Sequence, residues 1–215
     1  MDGAQPAAGF NRDALAQIPP ALQGVIDQGA LSGAVTLIWR RGEVVDVNTL
    51  GWRDIAAKAP MERDTLFRIA SMTKPVTSLT AMMLVEEGKL KLDDPITKWL
   101  PEFSGMQVLK AADGPIDQTE PAARDITVED LMTHRGGLAY GFTSVGPIAH
   151  AHEAKLGSAL VNPLTPDQWL KEIGGLPLSY APGERFHYSH ATDVLGFLIA
   201  RIEGKPLGQI GRAHV

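Results

Sequence analysis

Along the first quarter of the chain, apolar residues recur first at helical spacing and then in a nearly continuous run. Leu15, Ile18, Leu22, Val25 and Ile26 return every three or four residues, which predicts a helix over 13–28, broken or kinked at Pro19-Pro20. Gly29 and Gly33 bracket a turn. Ala34-Val35-Thr36-Leu37-Ile38-Trp39 then reads as a strand, Arg40-Arg41-Gly42-Glu43 as a turn and Val44 to Val47 as its partner. Thr49 to Arg53 extend the ladder into a hairpin or short meander. Thr65 to Ala70 reads as a short extended approach. Beyond it the pattern turns helical. Pro75 to Glu87 is apolar on most faces (Val76, Leu79, Met82, Met83, Leu84, Val85), which predicts burial all round, with Gly88 as C-cap. Residues 89–125 read as loop with short helical turns near Pro95–Leu100. Thr127-Val-Glu-Asp130 has the form of a capping box and opens a short helix that ends before Gly136-Gly137. Thr165-Pro166 is an N-cap followed by Pro at the first helical position, and that helix ends at Gly174-Gly175. A last helix runs from about Ser189 to Glu203, with Ala191, Val194, Leu195, Leu198 and Ile202 on one face. A meander of two or three strands is too small a sheet to bury a large core by itself.

Composition narrows the function classes. Of 215 residues, 44% are hydrophobic and 21% charged, as in ordinary globular proteins. The net charge of −5 and the scattered Lys and Arg give no reason to expect nucleic acid or an anionic membrane as partner. The absence of cysteine removes disulfides, thiolate chemistry and Cys-based metal sites. Met1 to Phe10 has neither a basic n-region nor an apolar core, so no signal peptide is read. The most apolar run, Leu79 to Val85, is far short of the ~20 residues that span a bilayer. A cytoplasmic enzyme is the expectation.

The focal motif is Ser71-Met72-Thr73-Lys74. Residues three apart at a helix start lie on one face, one turn from each other. A serine hydroxyl is a poor nucleophile until a base takes its proton, and a lysine can be that base if burial or another cation lowers its pKa. The helix N-terminus adds a partial positive charge and free N–H groups that suit a developing oxyanion. The same spacing also arises from a capping serine and a solvated lysine, so the motif alone decides nothing. Tyr188, opening the last helix after Ala181-Pro182-Gly183-Glu184, is a second candidate. A phenol beside an ammonium has a lowered pKa and can shuttle the serine proton; a half-buried structural tyrosine is the plainer alternative.

Taken in order, Phe67-Arg68-Ile69-Ala70-Ser71-Met72-Thr73-Lys74, Leu90-x-Leu92-Asp93-Asp94-Pro95, Leu131-Met-Thr-His134-Arg-Gly-Gly-Leu138 and Pro182-Gly183-Glu184 leading to Tyr188-Ser189 resemble the serine β-lactamase and penicillin-binding-protein family. Within it the chain is most similar to the family VIII carboxylesterases, which share their site architecture with class C β-lactamases. The resemblance covers roughly residues 20–207. It implies an α+β fold, β-lactamase/transpeptidase-like, with an antiparallel sheet flanked by helices plus a helical region. It implies Ser71 as acylated nucleophile, Lys74 as its proton partner and Tyr188 as general base. Ser189 and His190, where class C β-lactamases often carry Ala and Asn, favour an ester over a β-lactam substrate. The implied reaction is acyl transfer on a small molecule without cofactor or metal. A β-lactamase or D-alanyl-D-alanine carboxypeptidase on the same scaffold, and a non-catalytic binding protein, are the competing readings.

Other candidates are weaker. Gly141-Phe-Thr-Ser144-Val-Gly146 only approximates a nucleophile elbow. His150-Ala-His152-Glu153 offers a metal pair without a third ligand. His187 and His190 flank Tyr188 as candidate pocket residues, and His134 reads as a residue that holds a loop. The family's late-strand motif, which supplies a second oxyanion donor, has no candidate after Tyr188. Ile210-Gly-Arg-Ala-His-Val215 matches the translation of a common sequencing adapter. The expectation is therefore an N-terminal part of the domain over 1–207, truncated before its C-terminal strands, and a non-native tail over 208–215.

Overall fold

A computed structural model describes residues 9–157 and 163–213. Most of Met1–Phe10, and the last two residues of the 208–215 tail, lie outside the described residues. The chain divides into two compact units, 1–68 and 69–215.

In the first unit, the helical pattern resolves into α1 (Arg12–Leu15) and α2 (Ile18–Asp27). The prolines do not kink one long helix. They occupy the first turn of α2, where a missing N–H costs nothing, and the break falls just before them. Strand β1 (Gly33–Arg40) pairs antiparallel with β2 (Glu43–Asp54), with Gly33 opposite Gly51 and Arg40 opposite Glu43. Strand β2 runs unbroken through the two segments read from the sequence, and a two-residue β3 (Ala59–Pro60) completes a three-stranded sheet in the order β1-β2-β3. Gly51 has φ 72°, and a Cβ there would strike the Ser32 carbonyl oxygen and crowd Ile26 of α2. Glycine is what lets helix and strand approach at that point. Leu37, Trp39 and Val44 remain exposed on the sheet.

The second unit is mostly helical. Residues 65–69 belong to no helix or strand, and a 3-10 turn over Ala70–Met72 leads into α3 (Thr73–Glu86). Gly88, at φ 72°, ends α3 in a Schellman arrangement: its N–H donates to Val85 O (3.0 Å) and that of Lys89 to Leu84 O (2.9 Å). Burial of α3 is one-sided, contrary to its composition. Thr77, Ala81 and Leu84 face the core, whereas Val76, Leu79 and Met82 are exposed. Small Ala81 lets α3 pack closely on α7 (Ala191–Glu203), whose Ala191, Val194, Leu195, Leu198 and Ile199 are wholly buried. α4 (Val128–Met132) packs against the same helix and is opened by the Thr127–Asp130 capping box. A second box, Thr165 with Gln168, opens α6 (Pro166–Gly174). Residues 89–125, read as loop with short helical turns near Pro95–Leu100, hold 3-10 turns at Ile96–Lys98 and Pro101–Phe103 and, unanticipated, a two-stranded ribbon of β4 (Gln107–Leu109) and β5 (Thr119–Pro121). α5 (Pro147–Leu156) follows, and α8 (Leu207–Ala213) closes the described chain with Ile210 buried in the core. No helix among the described residues is long and apolar enough to cross a membrane.

Candidate active site

Every group of the candidate site belongs to the second unit, and short local devices place each one. Ser71 sits in the 3-10 turn ahead of α3, and Ala70 before it is held at φ 43°, a left-handed conformation that costs an L-residue energy. Lys74 follows in the first turn of α3, one turn from Ser71. Tyr188 arrives from the other end of the unit, on the segment that enters α7. The structure brings the three together. Ser71 Oγ lies 2.6 Å from Tyr188 OH, and Lys74 Nζ donates to Ser71 Oγ at 3.2 Å. The same ammonium lies 4.8 Å from the centre of the Tyr188 ring and 5.9 Å from that of Tyr140. Hydrogen bonding to Lys74, and then to Ser71, holds the Tyr188 phenol below its usual pKa. An ammonium beside a phenol favours the phenolate, so the arrangement can accept a proton from the serine hydroxyl. Lys74 is half-buried and Ser71 exposed.

Around this trio the unit forms a cleft of about 1420 Å³, lined among others by Ser71, Lys74, Tyr140, Phe142, His190 and Phe197. The segment before Tyr188 is tied to the 140–144 turn. Thr143 Oγ1 donates to Tyr188 O (2.9 Å), and Ser144 Oγ and His187 Nε2 are hydrogen-bonded at 3.1 Å. Gly137 holds the other side. At φ 76° a side chain there would collide with the Tyr180 carbonyl oxygen, and its own carbonyl accepts from Ser179 N–H at 2.8 Å.

A family model described as Beta-lactamase matches residues 18–215. The chain belongs to the beta-lactamase family. Protein Rv1367c of Mycobacterium tuberculosis is 54% identical over 191 residues, covering 88% of this chain and 46% of its own length. Esterase EstB of Burkholderia gladioli is 37% identical over 202 residues, covering 92% of this chain and 48% of its own. Among solved structures, EstCE1, a hydrolase with promiscuous acyltransferase activity, superposes with a TM-score of 0.77 at 33% identity, over 94% of this chain and 51% of its own. The fold is thus β-lactamase/transpeptidase-like, as the ordered motifs imply, and the chain spans about half the length of the curated relatives it matches.

In this beta-lactamase-family chain the candidate site also holds Tyr140 and Asp193, which sequence reasoning does not single out. Tyr140 OH donates to Asp193 Oδ2 (3.0 Å), and Asp193 Oδ2 is 3.1 Å from His190 Nδ1. The Tyr140 ring meets that of His190 at 4.0 Å and that of Tyr188 at 5.6 Å. Burial, followed by the charge of Asp193, raises the Tyr140 phenol well above its usual value, so it acts as a hydrogen-bond donor. Tyr140 and Asp193 lie 53 residues apart, and no local spacing links them. Of the other sequence candidates, His190 lines the cleft and His187 is tied to Ser144 beside Tyr188, whereas the His150/His152 metal pair comes apart. His150 is exposed while His152, two residues on, is buried, so the pair does not converge. Among the described residues, no group of three or more His, Cys, Asp or Glu is placed to hold a metal ion.

Proposed function

We propose that this protein hydrolyses carboxylic esters of small molecules through an acyl-enzyme on Ser71, with Tyr188 as general base and Lys74 as the cation that keeps the phenol acidic. The observation that carries the reading is the 2.6 Å contact between Ser71 Oγ and Tyr188 OH beside the Lys74 ammonium. In the first half-reaction, the Tyr188 phenolate takes the Ser71 proton as Oγ bonds to the ester carbonyl carbon. The tetrahedral oxyanion forms near the N-terminal end of α3, whose dipole favours negative charge. Collapse breaks the bond to the alcohol, which leaves with the proton from Tyr188. In the second, Tyr188 takes a proton from water as the water oxygen attacks the acyl carbon. Collapse then returns Ser71 Oγ with that proton.

An ester substrate is favoured by Ser189-His190 after Tyr188 and by the names of two relatives, Esterase EstB and the hydrolase EstCE1. The second of these, with its promiscuous acyltransferase activity, supports one further reading: an alcohol replaces water in the second half-reaction. The test is turnover by the complete protein of a short-chain nitrophenyl ester against a chromogenic cephalosporin, with and without added alcohol. The expected result is a kcat/KM for the ester at least ~10² above that for the cephalosporin. The reverse order would assign the site to β-lactams instead.

A further inference from the structure

We infer that His134 is a positioning residue for Tyr188: its carbonyl and its imidazole hold the backbone amides on either side of that tyrosine. His187 N–H donates to His134 O at 2.8 Å, and Ser189 N–H donates to His134 Nδ1 at 3.2 Å in a buried setting. The imidazole also lies against the phenol it brackets, with ring centres 4.8 Å apart and planes at 35°, and the Phe186 ring meets the imidazole edge-on at 5.8 Å. His134 therefore touches the Tyr188 segment through backbone, side-chain nitrogen and ring face at once.

The conformation of His134 points the same way. It follows α4 at φ 54°, the left-handed position where helices usually end on glycine or asparagine. A histidine there is less favourable than glycine for the turn. The turn is anchored without the imidazole, since Arg135 N–H donates to Asp130 O (2.7 Å) and Gly183 N–H to Arg135 O (2.8 Å). What the imidazole adds is the acceptor for Ser189 N–H.

That acceptor role fixes the ring's state. A nitrogen that accepts from an N–H carries no proton, so His134 is the neutral tautomer protonated at Nε2. Burial opposes the imidazolium, and the charges of Lys74 and His187 add to this while Asp193 acts against it. Protonation of Nδ1 would set two donors face to face and release Ser189, and with it one side of the Tyr188 segment. Proton transfer between Tyr188 and Ser71 depends on sub-ångström placement, so such a release acts on kcat more than on KM.

The inference rests on Tyr188 being the base, and the test separates the two claims. His134→Asn, His134→Gly and His134→Ala are compared in the complete protein by kcat and KM on a nitrophenyl ester, with hydrogen exchange of the Ser189 amide read in parallel. Asn is tolerated at positive φ, and its Oδ1 takes the place of Nδ1; Gly suits the turn but has no acceptor. The expected result is a loss of roughly 10–100-fold in kcat for Gly and Ala with KM changed less than about 3-fold, recovery by Asn to within about 5-fold of wild type, and fast Ser189 exchange in Gly and Ala alone. A Gly variant with wild-type kcat, or an Asn variant no better than Ala, overturns the inference. The wild-type protein gives a check that needs no variant: imidazole nitrogen resonances must show His134 Nδ1 unprotonated and hydrogen-bonded near neutral pH, and an Nδ1–H tautomer refutes the account. If Tyr188→Phe keeps wild-type kcat, the assignment of the base fails by itself, and Ser189 exchange still decides what His134 holds.

Discussion

Replacing Tyr188 by phenylalanine removes one oxygen atom and little else. The ring stays, with its contacts to the Lys74 ammonium at 4.8 Å and the His134 ring at 4.8 Å. The loss to stability is therefore that of partly solvated hydrogen bonds, about 1 kcal/mol, or a few degrees in Tm. The loss to catalysis is larger. Without the phenol, Ser71 Oγ keeps Lys74 Nζ at 3.2 Å, an ammonium that donates and cannot accept. A positioned general base contributes about 10²–10⁴-fold, which is roughly 2.7–5.4 kcal/mol of barrier at 1.36 kcal/mol per decade. The acylation rate is best read as the first turnover of a nitrophenyl ester by rapid mixing. The pH profile adds a second signature. Hydrogen bonds from Lys74 and Ser71 lower the phenol pKa, so the reactive phenolate grows with pH and saturates below the usual tyrosine value of 10.0. Wild-type kcat/KM should fall on the acid side of that point, and the limb should vanish in Tyr188→Phe. A loss smaller than about 10-fold, or an unchanged acid limb, would refute the assignment of the base.

Three further outcomes concern stability. Burial pushes the Asp130 carboxyl up, but the Arg124 guanidinium (2.5 and 3.0 Å) and Thr127 outweigh it and hold the pKa below 3.8. Its contribution is present above that pH and lost as pH falls through the folded value. Asp130→Ala should cost about 1–3 kcal/mol in urea unfolding at pH 7 and progressively less below pH 3.8. His152 is 2% exposed, and burial lowers its pKa from 6.5 to about 4, so the unfolded chain takes up its proton first. Stability is full above pH 6.5 and should fall by up to roughly 3 kcal/mol towards pH 4, a slope that His152→Gln reduces. Gly137→Ala drives a Cβ into the Tyr180 carbonyl at positive φ and should cost at least about 2 kcal/mol, seen as a lower urea midpoint.

What was legible in the sequence follows from how local each signal is. The helix starts at Thr127 and Thr165 are side-chain chemistry within four residues, and both caps stand where the spacing puts them. The β1–β2 hairpin reads from its apolar runs around Gly42, although β2 is longer than either segment suggests. Ser71 and Lys74 share a turn, so their 3.2 Å contact is nearly dictated by proximity. Elements that depend on partners were not legible. β4 and β5 are three residues each and are held partly by Leu178, whose amide donates to Gln107 O and whose carbonyl accepts from Leu109 N–H. α5 has only scattered apolar residues and buries His152, which in sequence reads as polar. α3 is apolar on most faces, yet the packed side is chosen by where small Ala81 lets α7 approach. The 2.6 Å meeting of Ser71 with Tyr188 spans 117 residues, and family resemblance rather than spacing anticipates it.

Every catalytic assignment depends on acylation of Ser71, which covalent trapping reads without a substrate. The complete protein is treated with a fluorophosphonate that reacts only with activated serines, and the adduct is mapped by mass spectrometry on proteolytic peptides. One adduct per chain is expected, on the peptide that begins at Ile69, carried by Ser71 and absent from Ser71→Ala. An adduct that survives in Ser71→Ala, above all one on Ser144 beside His187 Nε2 at 3.1 Å, would contradict acylation of Ser71.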